Sequence, residues 1–123
     1  MTFAHLTIAT RDVRRTAEFF TNTLGWQPIH QPDNIDLTAA WLDIAPGQQL
    51  HILEVADFAP SPFEREFGRH FAIFHSGSDF AALKERLVAN GAILVDAIRP
   101  TPFARFFFND PNGYAFEVID RDG

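Results

Sequence analysis

The sequence predicts an α+β fold made of two βαβββ modules. Two stretches each read as a strand, a helix and three further strands, a glycine closes each helix, and one offset carries the landmarks of the first stretch onto the second. His5 to His70 is 65 positions; Asp12 to Ser78, Gly25 to Gly91, Gly47 to Gly113 and His51 to Glu117 are each 66. The halves are expected to be structural homologues that differ by a one-residue insertion.

Thr2 to Ala9 alternates, with Ala4, Leu6 and Ile8 on one side and Phe3, His5 and Thr7 on the other, as in a half-buried strand. A helix follows: Asp12 can cap it, Val13, Ala17, Phe20 and Leu24 recur at helical spacing, and Gly25 suits the left-handed position after its end. Trp26 to His30, Asp36 to Asp43 and Gln49 to Val55 are strand candidates, the last two joined across Ala45-Pro46-Gly47. The prolines of Ala56 to Gly68 break both periodicities, so this stretch reads as a connector. The pattern then restarts. Arg69 to His75 is a strand, Ser78 can cap a helix bearing Phe80, Leu83 and Leu87, and Gly91 ends it. Ile93 to Ala97, Phe103 to Phe108 and Tyr114 to Ile119 complete the second module, the last two forming a hairpin around Asn109-Asp110-Pro111-Asn112-Gly113. The chain is expected to be one domain over 1–123, with module one at 1–55, the connector at 56–68 and module two at 69–123.

Ten basic against sixteen acidic residues, with no basic cluster, argue against a nucleic-acid partner. Strand-like sequence starts almost at once, and no apolar run approaches the ~20 residues of a membrane span, so a soluble cytoplasmic protein without membrane association is expected. There is no cysteine, so any metal must be held by His, Asp or Glu. The fourteen Phe suit an aromatic core or a partly aromatic ligand cavity.

Within the repeat, His5 and His70 occupy equivalent positions on the first strands, and His51 and Glu117 on the last. Each residue alone has an ordinary explanation. A histidine at a strand start is commonly a surface residue, His51 could pack on an edge strand, and Glu117 could pair with Arg105 or Arg121. Glu54 is a rival ligand of opposite parity to His51, and His30 and His75 have no partner in the repeat. The agreement of all four with one repeat points to a divalent metal site. Imidazole and carboxylate suit Zn, Ni, Mn, Co or Fe(II) without choosing among them.

His5-Leu6-Thr7-Ile8 before Arg11-Asp12, Leu24-Gly25-Trp26, Leu50-His51-Ile52-Leu53-Glu54, Arg69-His70-Phe71-Ala72, and Phe107-Phe108-Asn109-Asp110-Pro111-Asn112-Gly113 leading to Phe116-Glu117 resemble the vicinal oxygen chelate (glyoxalase/bleomycin-resistance/dioxygenase) superfamily over nearly the whole chain. The resemblance implies a cupped, barrel-like mixed sheet with helices outside. It implies His5, His51, His70 and Glu117 as metal ligands, and a small substrate chelating the ion through two oxygens. Glyoxalase I in that family has a glutamate at the position of His51, where a carboxylate can shuttle a proton from carbon. Ring-cleaving dioxygenases use two His and one Glu, in which case His51 would be a free base. Fosfomycin thiol transferases resemble His5, His70 and Glu117, but no dense cationic pocket for a phosphonate is evident here.

The expected function is therefore a small metal-dependent enzyme of lyase, isomerase or dioxygenase type. Glu117 and His51 are the catalytic candidates, and the working unit is a homodimer whose sites are shared between subunits. The alternative is a protein that sequesters an aromatic, drug-like ligand. Arg69, Arg99 and Arg105 are candidates for an anionic substrate, or else for ion pairs with Glu64, Glu66 or Asp96. Phe58, Phe63 and Phe67 of the connector would either cover the cleft or anchor the linker.

Overall fold

The computed structural model describes residues 1–34 and 38–123, and the chain forms two compact units, Met1–Phe58 and Ala59–Gly123. In the first, β1 (His5–Thr10), α1 (Val13–Leu24), β2 (Gln27–Ile29), β3 (Ala39–Ala45) and β4 (Gln48–Glu54) give a sheet in the order β1-β4-β3-β2. Its β1–β4 pair is parallel and its other pairs antiparallel. Asp12 accepts the Arg15 N–H at 3.0 Å to start α1, and Gly25, at φ 75°, ends it. Val13, Thr16, Phe19, Phe20 and Thr23 form the buried stripe of α1, and Leu42, Leu50 and Ile52 of the sheet are wholly buried. Alternation then leaves His5, Trp41, Gln49 and His51 on the other face. Asp36 and Leu37, at the start of the expected third strand, lie outside the described residues.

The second unit repeats the plan. β5 (Phe71–His75), a 3-10 turn (Gly77–Asp79), α2 (Phe80–Ala89), β6 (Ile93–Val95), β7 (Arg105–Asn109) and β8 (Ala115–Asp120) give the order β5-β8-β7-β6. Its core is aromatic: Phe108 stacks on Phe116 at 5.0 Å, and Phe80 meets Phe106 edge-on at 5.1 Å. Each unit has its own four-stranded mixed sheet, and the described strands close no barrel.

The registers bear out the repeat position by position. Thr7 pairs with His51 as Ala72 pairs with Glu117, and Trp41 pairs with His51 as Phe107 pairs with Glu117. The positive-φ glycines are Gly25, Gly47, Gly91 and Gly113, the two pairs that the offset relates. Ser78 departs from expectation. It lies in the 3-10 turn with its hydroxyl 2.9 Å from that of Ser76, and α2 begins after Asp79 with no side-chain cap. Several strands are also displaced: β1 starts at His5, β5 at Phe71 just after His70, and β6 ends at Val95, before the loop held by Glu66.

Candidate metal centre

In the first unit β1 and β4 place His5 diagonally across from His51. Their rings stack with centroids 4.0 Å apart and planes 15° from parallel. Trp41, opposite His51 on β3, covers the other face of the same imidazole at 3.7 Å and 7°. His5 is exposed, whereas His51 is 8% exposed. Gln49, two residues before His51 and so on the same face, brings Oε1 to 2.9 Å from His51 Nε2. Burial, and secondly the neighbouring His5, push the His51 pKa below its ordinary value, which favours the neutral ring that a metal or a transferred proton requires. The Trp41 indole Nε1 is buried without a hydrogen-bond partner.

In the second unit His70 Nε2 lies 3.4 Å from Glu117 Oε1. His70 Nδ1 is 3.2 Å from the Arg65 carbonyl, an acceptor, so Nδ1 carries the proton. Nε2 then faces a Glu117 carboxylate oxygen, so the two side chains converge on one point. Phe107 meets the His70 ring edge-on at 5.1 Å. Glu117, 7% exposed, directs its other oxygen to Arg105 Nη1 at 2.9 Å.

The Arg105 and Arg69 side chains are paired within the second unit, whereas Arg99 takes part through its backbone. Arg105 pairs with Glu117 and Glu66 rather than standing free for an anion. Arg69 pairs with Glu64 at 2.9 Å and lies over the Phe71 and Tyr114 rings. The backbone N–H of Arg99 donates to Glu66. On the connector Phe63 and Phe67 are 57% and 61% exposed, which does not fit an anchor in the core.

The donor set suits a divalent ion. With bonds of about 2.1 Å, two ligands on a tetrahedral ion stand about 3.4 Å apart, the spacing His70 and Glu117 already hold. The Arg65 carbonyl fixes the His70 tautomer as carbonyls do behind metal-bound imidazoles. His51 would have to exchange Gln49 for an ion. Among the described residues no three His, Asp or Glu side chains are grouped to hold one, so each pair is a two-donor set within its own unit. Sequence reasoning missed Gln49 and Trp41, and named Glu66 as one of several possible partners of Arg105. The parity of Gln49 with His51, and the offset from Trp41 to Phe107, were the available signals.

Known proteins share this chain's pattern. A lactoylglutathione lyase, GLX1, of Arabidopsis thaliana is 29% identical over 126 residues, and the match covers 97% of this chain but 44% of that protein. Glyoxylase I 4 of the same plant is 26% identical over 134 residues, covering 96% of this chain and 70% of that protein. Among solved structures, a mutant of the fosfomycin resistance protein FosX of Listeria monocytogenes, complexed with Mn(II) and 1S,2S-dihydroxypropylphosphonic acid, superposes with a TM-score of 0.79. The match is at 20% identity and covers 97% of this chain and 91% of that one. FosX of Mesorhizobium loti gives 0.73 at 17% identity, covering 96% and 90%. These structural likenesses concern the fold. Residues 2–118 match the family model itself, and the chain belongs to the Glyoxalase/Bleomycin resistance protein/Dioxygenase superfamily.

Proposed function

We propose that this chain is a divalent-metal-dependent enzyme in which His5, His51, His70 and Glu117 hold the ion and a small oxygenated substrate chelates it. The observation that carries the reading is the His70–Glu117 pair, whose Nε2 and Oε1 face each other 3.4 Å apart while His70 Nδ1–H is directed to the Arg65 carbonyl. The ion would act as a Lewis acid toward an oxyanion developing on the substrate. His51, kept neutral by burial and by His5, donates its Nε2–H to Gln49 Oε1, so the lone pair that can accept a proton, if it is not a ligand, is on Nδ1. Glu117 presents Oε1 while Oε2 is held by Arg105. The similarity to a lactoylglutathione lyase, and the Mn(II) in a FosX complex of like fold, support a lyase, isomerase or dioxygenase type of reaction without selecting one.

Each unit supplies two of the four donors, and the reading takes a homodimer in a cytoplasmic setting as the working unit, with each ion shared between subunits. Mixing His5→Ala with Glu117→Ala protein after dissociation should then restore part of the metal binding. No recovery in confirmed heterodimers would exclude shared sites. No described helix is long and apolar enough to cross a membrane.

A second reading, sequestration of an aromatic ligand, is favoured by a groove in the second unit. Phe74, 71% exposed, lines a cavity of about 340 Å³ with Pro102, Phe103 and Ile119, and Ile119 has the parity of Glu117 on β8. Metal analysis of protein purified without chelator or His tag separates the two. About one equivalent per site supports the enzyme; under about a tenth, with no uptake of added Zn, Ni, Mn, Co or Fe(II), leaves only the binding protein.

A further inference from the structure

Arg105 is 3% exposed in its side chain, and its guanidinium is a hub. Nη1 donates to Glu117 Oε2 at 2.9 Å, and Nη2 to Glu66 Oε2 at 2.9 Å and to the Arg99 carbonyl. Glu66 comes from the connector and in turn accepts the Ile98 N–H at 2.6 Å and the Arg99 N–H at 2.9 Å. A planar fork that binds one oxygen of each of two carboxylates fixes the distance between them and the direction from which each is held. For Glu117 the result is a carboxylate with one oxygen committed to Arg105 and the other, Oε1, turned to His70.

Resting on the metal reading above, we propose that Arg105 and Glu66 are positioning residues that make Glu117 a one-oxygen donor. The chain Glu66–Arg105–Glu117 connects the ligand to the connector and to the loop at Ile98–Arg99, so that the ligand's geometry depends on how that loop is held. Charge alone does not account for the arrangement. A lysine at 105 would keep the charge but lacks the rigid fork that holds both carboxylates at fixed positions, which leaves the Glu117 carboxylate freer to rotate.

The test uses cobalt(II), whose visible spectrum reports coordination number. Unmutated protein, Arg105→Lys and Glu66→Gln are loaded with cobalt(II), and spectrum, affinity and melting temperature are recorded for each. Arg105→Lys is expected to bind at saturation with a weaker visible band, as the freed carboxylate supplies its second oxygen, and with an affinity about tenfold lower. Glu66→Gln should shift in the same direction by less, and it keeps the shape of the side chain and an acceptor for one of the two backbone N–H groups should Arg105→Lys not fold. A lower melting temperature with spectrum and affinity unchanged would show a merely structural role and overturn the proposal. No cobalt uptake by unmutated protein would overturn the metal reading and this proposal with it; uptake with indifference to both substitutions would overturn this proposal alone.

Discussion

Trp41 lies flat on His51, with ring centroids 3.7 Å apart and planes 7° from parallel. A protonated or metal-bound imidazole in contact with an indole quenches its fluorescence, so Trp41 is a built-in reporter of His51. The other tryptophan, Trp26, is buried against Phe20 at 5.3 Å. Acid quenching is expected with a midpoint below 6.5, because burial and His5 lower the His51 pKa. The pH-dependent signal should vanish in Trp41→Phe and in His51→Gln. A midpoint above 6.5 would contradict the stacked, buried placement of His51.

Glu117 and Arg105 form a buried pair, and removing one partner strands the other. Glu117→Ala should lower stability by about 3 kcal/mol, less if Glu66 takes up the freed guanidinium. Glu117→Gln keeps an acceptor and should lose about 1 kcal/mol. Urea unfolding of the two variants measures the difference, and equal losses would argue against the pair as the cause.

The hairpin turn carries a pH dependence of its own. Burial raises the Asp110 pKa to about 6, against the opposing hydrogen bonds from the Tyr114, Asn112 and Gly113 backbone and the Asn112 side chain. The folded state then favours the protonated acid. Stability rises as pH falls from about 6 toward the unfolded value near 4, by about 3 kcal/mol. Glu66 has the opposite sign. Burial pushes its pKa up, but the hydrogen bonds from Ile98, Arg105 and Arg99 outweigh this and hold it at about 2. Its contribution is present above pH 4.5 and is lost as pH falls toward 2. Maximum stability is therefore expected at roughly pH 4 to 4.5, where the Asp110 contribution is nearly complete and that of Glu66 is not yet lost. Asp110→Asn should flatten the upper side of the profile; an unchanged profile between pH 5 and 8 would remove Asp110 as its source.

Most of the fold was legible because it is written twice. Periodicity placed each strand and helix, and the offset tied Gly47 to Gly113 before any register was known. The candidate site was read from residue types and parity: the offset picked out His5, His51, His70 and Glu117, and alternation put each pair on one sheet face. What it left open depends on loops. Arg105 had four acidic candidates within reach, and only the course of the chain through Ile98 and Arg99 brings Glu66 to it. The start of α2 was misplaced because Ser78 satisfies a cap rule in sequence, while the 3-10 turn moves the helix start past Asp79.

The equivalent glycines are not equally replaceable. Gly47 and Gly113 both hold positive φ, 78° and 96°, so alanine is strained at either. A Cβ on Gly47 meets nothing within 4 Å, whereas one on Gly113 would come within 2.9 Å of Pro60 Cγ. Gly47→Ala should cost about 1 kcal/mol and Gly113→Ala about 2 or more, read by urea unfolding. Equal costs would mean that the Pro60 segment gives way freely.

The most direct measurement is calorimetric titration of metal-free protein with Zn, Mn and Co, repeated after single replacement of His5, His51, His70 and Glu117 by alanine. The proposed metal site predicts one ion per four-donor set. It also predicts a loss of about a hundredfold or more for His70→Ala and Glu117→Ala and a clear loss for His5→Ala. A weak effect at His51 alone would identify it as the free base. Binding that survives both His70→Ala and Glu117→Ala, or no binding by the unmutated chain, would contradict it.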